Sequence, residues 1–184
     1  MIAFRTDTFY GLGADPFNAA AVARIRALKG REDGKPILLL ISDAVEVDRL
    51  LSERSPEFQN LAVKFWPGPL TIIGRAVPGL PEVVTAGTGT VGVRLPADAN
   101  VRHLVRQCGG VLTATSANPA GRAPARSAQM VRNYFPEGID LIIDGGKVTA
   151  FEPSTVVDAT TSPPRIIREA AIPAKLILPR ESDS

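Results

Sequence analysis

Apolar residues in this chain fall in short runs, separated by glycine, proline and polar clusters, and two periodicities alternate along it. Ile37–Ile41 is an uninterrupted apolar run of strand length, the pattern of a strand covered on both faces. Ile2–Arg5, Leu70–Gly74, Val91–Leu95, Val111–Thr115, Leu141–Ile143, Thr155–Val157 and Ile166–Arg168 are further short segments that predict strands. Between them lie helix signals. Asn18 is placed to cap a helix over Ala19–Leu28, with Gly30 just past its end. Ser55-Pro56 supplies a cap and a first-turn proline for a helix reaching Phe65. Asn100–Gln107 reads as a helix, and Ser127 caps another that runs through Tyr134. This order predicts a layered α/β fold. Strand and helix do not alternate strictly after Gly68, so the expected sheet is open, twisted and mixed, with helices on its faces. Residues 1–175 are expected to form one domain and residues 176–184 a polar tail.

Composition narrows the class. At 184 residues, 45% of them apolar and 22% charged, the chain has enough apolar material for one ordinary core without disulfide or metal staples. A net charge of +2 permits contact with phosphates or RNA but does not require it. Cys108 is the only cysteine, which excludes an internal disulfide or a cysteine metal cluster and fits a reducing, cytoplasmic setting. At a predicted helix end it reads as a small buried hydrophobe. His103 is the only histidine, so no His pair exists, and a surface or core role suits it better than catalysis. No apolar run reaches the roughly 18–20 residues of a membrane span, and Met1–Phe4 is too short for a signal peptide.

Three familiar motifs fail. Gly87-Thr-Gly89-Thr-Val-Gly92 has the dinucleotide spacing, but the segment after it is extended and runs into Pro96 where a helix is required. A flexible glycine turn accounts for it. Neither a P-loop nor a G-x-S-x-G elbow occurs.

What remains is a set of basic and hydroxyl residues at the ends of elements. Lys29-Gly-Arg31 follows a predicted helix, with Lys35 close behind; Thr90 and Arg94 bracket a strand; Thr113, Thr115, Ser116 and Asn118 close another, with Gly121 and Arg122 beyond. Ser154-Thr155 opens a late strand and Arg168 ends the last one. Ligands of open α/β sheets bind at strand ends. Lys and Arg there suit anions, and hydroxyls and amides give directional bonds to phosphate or carboxylate. Taken singly, each is as well explained by an ordinary surface charge or turn. Pattern alone supports a small anionic ligand and leaves its identity open.

At these same residues the chain resembles the YrdC-like family of threonylcarbamoyl-AMP synthases, from Ile2 to about Ile172. Thr6-Asp-Thr8-Phe-Tyr10-Gly-Leu-Gly13, Lys29-Gly-Arg31, Trp66-Pro-Gly-Pro-Leu-Thr71, Thr90-Val-Gly-Val-Arg94-Leu-Pro96, Ser116-Ala-Asn118, Asp144-Gly-Gly146 and Ser154-Thr-Val-Val-Asp158 match the family's motifs in order. The resemblance implies a twisted sheet around a large, basic, concave cavity. It implies a nucleotidyltransferase that makes L-threonylcarbamoyl-AMP and pyrophosphate from L-threonine, bicarbonate and ATP, the first step of a tRNA anticodon-loop modification. On this resemblance Lys29, Arg31, Ser116 and Asn118 are the catalytic set. Lys29, Arg31, Lys35, Thr90, Ser116, Asn118 and Arg168 face ATP, and Thr6 or Thr8, Arg94 and Ser154 face threonine. Mg²⁺ is expected to ride on ATP with no metal held by the protein. Contact with tRNA or double-stranded RNA, and with tRNA threonylcarbamoyl-transferase partner proteins, is expected too.

The chain departs from the family pattern in several places. Its first residues already lie in the first strand, where family members usually carry a helix before it, so the expectation is either a sequence that starts short or an unprotected sheet edge. Arg5 replaces a usual proline, Leu40 a frequent histidine, and Arg168-Glu-Ala-Ala a usual R-P-G-A. Three rival readings stand beside the enzyme. One is a non-catalytic module binding double-stranded RNA or tRNA, against which stand the small net charge and the 5% aromatic content. One is an inactive paralogue, against which stand the intact K-x-R and S-x-N motifs. The last is a carbamoyl-transfer module of hydrogenase-maturation proteins, which sits in much longer chains.

Overall fold

The computed structural model describes residues 1–30, 35–149 and 152–178. Among the described residues, ten strands form two sheets. Strands β1 (Ile2–Arg5), β2 (Tyr10–Gly13), β7 (Thr115–Ser116) and β8 (Leu141–Ile143) make a four-stranded sheet in the order β7-β2-β1-β8. Strands β3 (Leu39–Ile41), β4 (Leu70–Arg75), β5 (Thr90–Arg94), β6 (Val111–Thr113), β9 (Thr155–Asp158) and β10 (Arg165–Arg168) make a six-stranded sheet in the order β10-β9-β4-β5-β3-β6. Both mix parallel and antiparallel pairs: β1 runs parallel to β8 and antiparallel to β2, and β4 runs parallel to β9 and antiparallel to β5. The fold is thus a twisted mixed α/β architecture, as expected, but with two sheets where one was expected.

The division has a local cause. The predicted strand Val111–Thr115 breaks at Ala114: Leu39–Ile41 pairs with Val111–Thr113, while Thr115 and Ser116 pair with Leu12 and Gly11 of the other sheet. One extended run therefore crosses from sheet to sheet. Thr113 anchors the crossing, because its Oγ1 accepts from Ala14 N (2.8 Å) and its N donates to Ala14 O (2.9 Å). A side chain on Gly13 would meet Phe4 of one sheet at 2.7 Å and Leu112 of the other at 2.8 Å, so glycine permits their close approach.

Capping sets the helices where the sequence places them. Asn18 accepts from Ala21 N (3.0 Å) at the start of α1 (Ala19–Lys29), and Gly30 closes it in a left-handed conformation. Ser55 accepts from Phe58 N (3.1 Å) at α2 (Pro56–Phe65). The other described helices are α3 (Glu82–Thr85), α4 (Ala99–Gln107), α5 (Ala128–Tyr134) and α6 (Ala174–Ile177), with a 3₁₀ turn at Ala44–Arg49. Strand β2, helices α3 and α6 and the 3₁₀ turn are not expected from the sequence, being short and without strong periodicity. Helix α6 crosses the expected domain end at residue 175 and buries Ile177.

The main core lies between one face of the six-stranded sheet and α2, built from residues such as Leu39, Ile41, Phe58, Leu70, Ile72, Val91 and Val93. A second packs Tyr10, Leu12, Ile25, Val131 and Phe135 under the four-stranded sheet. A third joins Phe4, Leu40, Val101, Val105 and Leu112 between the sheets.

Three expectations are corrected. Cys108 is exposed, because it follows the last turn of α4 instead of facing a core. Strand β1 is not an unprotected edge: it is internal, flanked by β2 and β8. The apolar run from Ile37 becomes a strand only at Leu39, since Ile37 N bonds to Val84 O (2.9 Å) outside any ladder. Arg5 reaches Asp98 at 3.0 Å, the residue that caps α4, and so ties the four-stranded sheet to that helix.

Candidate functional site

Strand β5 sends Val91 and Val93 into the main core. Alternation turns Thr90, Gly92 and Arg94 to the opposite face. Arg94 is only 2% exposed. Its Nε donates to Gly68 O (3.0 Å), its Nη1 to Thr8 Oγ1 (3.4 Å), and its Nη2 to Asp7 Oδ2. Burial pushes the guanidinium below its ordinary value, and the Asp7 carboxylate pushes it back up. A buried guanidinium without such a counter-charge is strongly destabilising, so Asp7 is part of what allows Arg94 to sit there. The Trp66-Pro-Gly turn supplies the third contact. A side chain on Gly68 would lie 2.3 Å from Phe65 O, so only glycine lets the turn present its carbonyl to Arg94.

The loop before β2 distinguishes its two threonines. Thr6 is buried, and its hydroxyl donates to Phe9 O (2.6 Å) while accepting from Thr8 N (3.1 Å) and Phe9 N (3.2 Å). With its one proton given to Phe9, the 3.0 Å contact between Thr6 Oγ1 and Thr8 Oγ1 must be donated by Thr8. Thr8 then accepts from Arg94. Thr6 shapes the loop, and Thr8 faces the guanidinium.

On the other side of Arg94 stands Thr71, one step beyond the Ile72–Val93 pair. Its buried hydroxyl lies 2.9 Å from that of Ser154, which is also buried. Arg168 donates from Nε (3.2 Å) and Nη2 (2.8 Å) to the Ser154 carbonyl. The segment after β10 folds back onto Thr155, whose Oγ1 accepts from Ala170 N and Ile172 N, so the Glu-Ala-Ala departure is held on the same strand.

Lys29, last residue of α1, is 4% exposed. Its ammonium donates to Ser116 O, and its own carbonyl accepts from Ala120 N (3.1 Å), so the helix end and the loop after β7 grip each other. Asn118 braces that loop through Nδ2, which donates to Pro119 O (3.0 Å) and Arg122 O (2.7 Å). Its Oδ1 is buried without a partner among the described residues. Ile25, Arg26, Lys29, Ile37 and Thr115 line a narrow cleft at the end of α1. The two groups adjoin through β2. Gly11 pairs with Ser116, and a side chain there would contact both Thr115 O (3.5 Å) and the Thr6 methyl (3.8 Å).

The residues singled out in the sequence thus form two adjoining groups, Lys29 with Ser116 and Asn118, and Thr8 with Arg94, Ser154 and Arg168. Two stand apart. Thr90 shares the face of Arg94 but lies at the far end of β5, roughly 13 Å away at strand rise, with its hydroxyl 2.9 Å from that of Thr88. Lys35 is exposed, and its carbonyl accepts from Arg26 (2.9 Å). Arg31 lies outside the described residues. Sequence reasoning missed Asp7 and Thr71 as parts of the site, although both lie inside quoted motifs. It also gave Asp144-Gly-Gly146 no role. That loop brackets the buried Tyr10 hydroxyl, which donates to Gly146 O (2.8 Å) and accepts from Gly145 N (3.1 Å). Burial raises the Tyr10 phenol above its ordinary value. Among the described residues no three His, Cys, Asp or Glu side chains gather to hold a metal, and no helix is long and apolar enough to cross a membrane.

Comparison with known proteins places this geometry. The chain is 37% identical over 177 residues to the threonylcarbamoyl-AMP synthase of Pyrococcus abyssi, covering 96% of itself and 52% of that protein. It therefore spans about half the length of that relative. It is 39% identical over 145 residues to the threonylcarbamoyl-AMP synthase of Halorhodospira halophila, covering 76% of it. Among solved structures, P. abyssi Sua5 complexed with L-threonine superposes with a TM-score of 0.91 at 38% identity, over 96% of this chain and 52% of that one. E. coli YciO superposes with a TM-score of 0.85 at 25% identity, over 96% and 86%. The family model for Sua5, YciO and YrdC proteins, described as "Telomere recombination", matches residues 1–170. With its motifs in order and its fold superposing throughout, the chain belongs to the Sua5/YciO/YrdC family.

Proposed function

We propose that this chain joins L-threonine, bicarbonate and ATP into L-threonylcarbamoyl-AMP and pyrophosphate. The observation that carries the reading is the adjacency of two polar groups, one centred on Lys29 and Ser116 and the other on Arg94 and Ser154, at the join of the two sheets. The first suits phosphate and the second suits an amino acid. The names of the relatives, and the threonine-bound Pyrococcus structure, support the same reading.

Threonine's amine adds to CO2 derived from bicarbonate and loses a proton, giving a carbamate. A carbamate oxygen then attacks the α-phosphorus of ATP, and the bond to pyrophosphate breaks. Such a transfer requires charge neutralisation and alignment more than a protein nucleophile. Lys29 and Arg31 stabilise charge developing on the phosphates, Ser116 and Asn118 position the α-phosphate, and Lys35, Thr90 and Arg168 complete the nucleotide's surroundings. Arg94 takes the threonine carboxylate, with Thr8 and Ser154 beside it. Thr6 acts on threonine through the loop it shapes. The adjoining groups form the wall of a basic, concave cavity, and Mg²⁺ enters with ATP as part of the substrate. The product passes in the cytoplasm to tRNA threonylcarbamoyl-transferase proteins and tRNA.

Incubation with ATP, bicarbonate and L-threonine, followed by mass spectrometry, tests the reading. The expected result is threonylcarbamoyl-AMP, with much less product when serine replaces threonine. A chain that yields no adenylate, yet retains tRNA in a filter-binding assay, would belong to the RNA-binding reading instead.

A further inference from the structure

Asp7 carries more than the duty of a counter-ion. One of its oxygens, Oδ2, accepts from Arg94 Nη2 and lies 3.4 Å from Ala97 N. The other, Oδ1, is buried and has no hydrogen-bond partner among the described residues. A buried carboxylate oxygen without a donor is unfavourable and calls for an explanation, such as a donor that arrives with a ligand. Arg94 is unsaturated as well. A guanidinium has five N–H donors, and the bonds to Gly68, Thr8 and Asp7 use three of them. The pair is therefore a positive group with donors to spare beside a negative group with an acceptor to spare. An α-amino acid presents the complement: a carboxylate and an ammonium on one carbon.

We infer that Asp7 and Arg94 together read the amino-acid zwitterion, Arg94 receiving the carboxylate and Asp7 Oδ1 the ammonium. This rests on the reading of the site as a threonine site and adds to it a residue that selects for the free amine. Loop geometry favours the arrangement. Asp7 lies between Thr6, whose hydroxyl is consumed by its own loop, and Thr8, whose hydroxyl faces Arg94. The turn thus holds a carboxylate and a hydroxyl against one guanidinium. Such a site rejects a hydroxy acid that lacks the amine, because Oδ1 would stay buried and unpaired.

Calorimetric titration of the whole chain with L-threonine and with 3-hydroxybutyrate, its analogue without the amine, tests the assignment. The natural protein is expected to bind threonine at least tenfold more tightly. Asp7→Asn should weaken threonine at least tenfold more than it changes 3-hydroxybutyrate, which feels Asp7 only through Arg94, and Asp7→Glu should recover part of the preference. Equal weakening of both ligands, or no weakening of threonine, overturns the inference while leaving the threonine site intact. A natural protein that binds no threonine overturns the functional reading itself. Should Asp7→Asn fail to fold, carboxyl-carbon NMR of the natural protein decides: the Asp7 resonance should move with threonine and stay with 3-hydroxybutyrate. Equal movement with both, or none, refutes it.

Discussion

Lys29 and Arg94 are both cations withdrawn almost wholly from water, at 4% and 2% exposure, yet they are held by different parts of the fold. Arg94 stands on β5, flanked by β4 and β3 inside the six-stranded sheet, and bonds to an aspartate, a threonine and a turn carbonyl. Lys29 stands at the end of a helix and reaches a carbonyl on β7, a two-residue strand at the edge of the four-stranded sheet. On the proposed function, the amino-acid side of the site is thus built into a sheet interior, whereas the phosphate side is assembled from a helix end and an edge loop. Binding and folding should be coupled on the first side and more nearly separable on the second.

The largest expected effect is at Arg94. Arg94→Ala leaves the Asp7 carboxylate half-buried without its cation and should cost about 3–5 kcal/mol, the usual consequence of breaking a buried pair. It should abolish product formation too. Urea unfolding beside a pyrophosphate-release assay measures both. Lys29→Ala should lower pyrophosphate release by roughly 10²–10³-fold but destabilise by only about 1.5–3 kcal/mol, the scale of a charged hydrogen bond. If the two variants lost stability equally, the contrast between sheet-built and loop-built halves would be wrong.

The smallest effect lies outside both halves and serves as a control. Asp140 bonds to the amino terminus (2.5 Å) and to Arg24 (2.9 Å), and Arg24 together with that terminus holds its carboxyl down to about 2 from 3.8. A depressed carboxylate stabilises the fold above its unfolded value, and that contribution disappears as pH falls from about 4 toward 2. Asp140→Asn should therefore lower the thermal midpoint slightly at pH 5–7 and by clearly less at pH 2, with turnover intact. A difference that stayed the same from pH 7 to pH 2 would point to packing in place of charge.

Much of this architecture could be read locally. Asn18, Ser55 and Ser127 each cap the helix their position predicts, because a cap needs only its own side chain and the next three residues. The glycine-rich Gly87–Gly92 segment leads into β5 and not into a helix, as its β-branched residues and Pro96 indicate. Strand β2 was not legible, since Tyr10–Gly13 has two glycines in four residues and is buried on both faces, so no alternation marks it. Cys108 misled for the converse reason: burial tendency is an average over many proteins, and this helix end faces solvent.

By itself the chain determined its helix caps, most of its strands, its mixed α/β class and the motif residues from which the site is made. These follow from interactions a few residues long or from apolar patterning. Only the tertiary structure decided that one run crosses between two sheets at Ala114, that Thr8 and not Thr6 faces Arg94, and that Asp7 closes on a guanidinium 87 residues away. Those outcomes depend on which buried groups can satisfy one another once the sheets meet. Partners that far apart are chosen by packing, which no short stretch of residues contains.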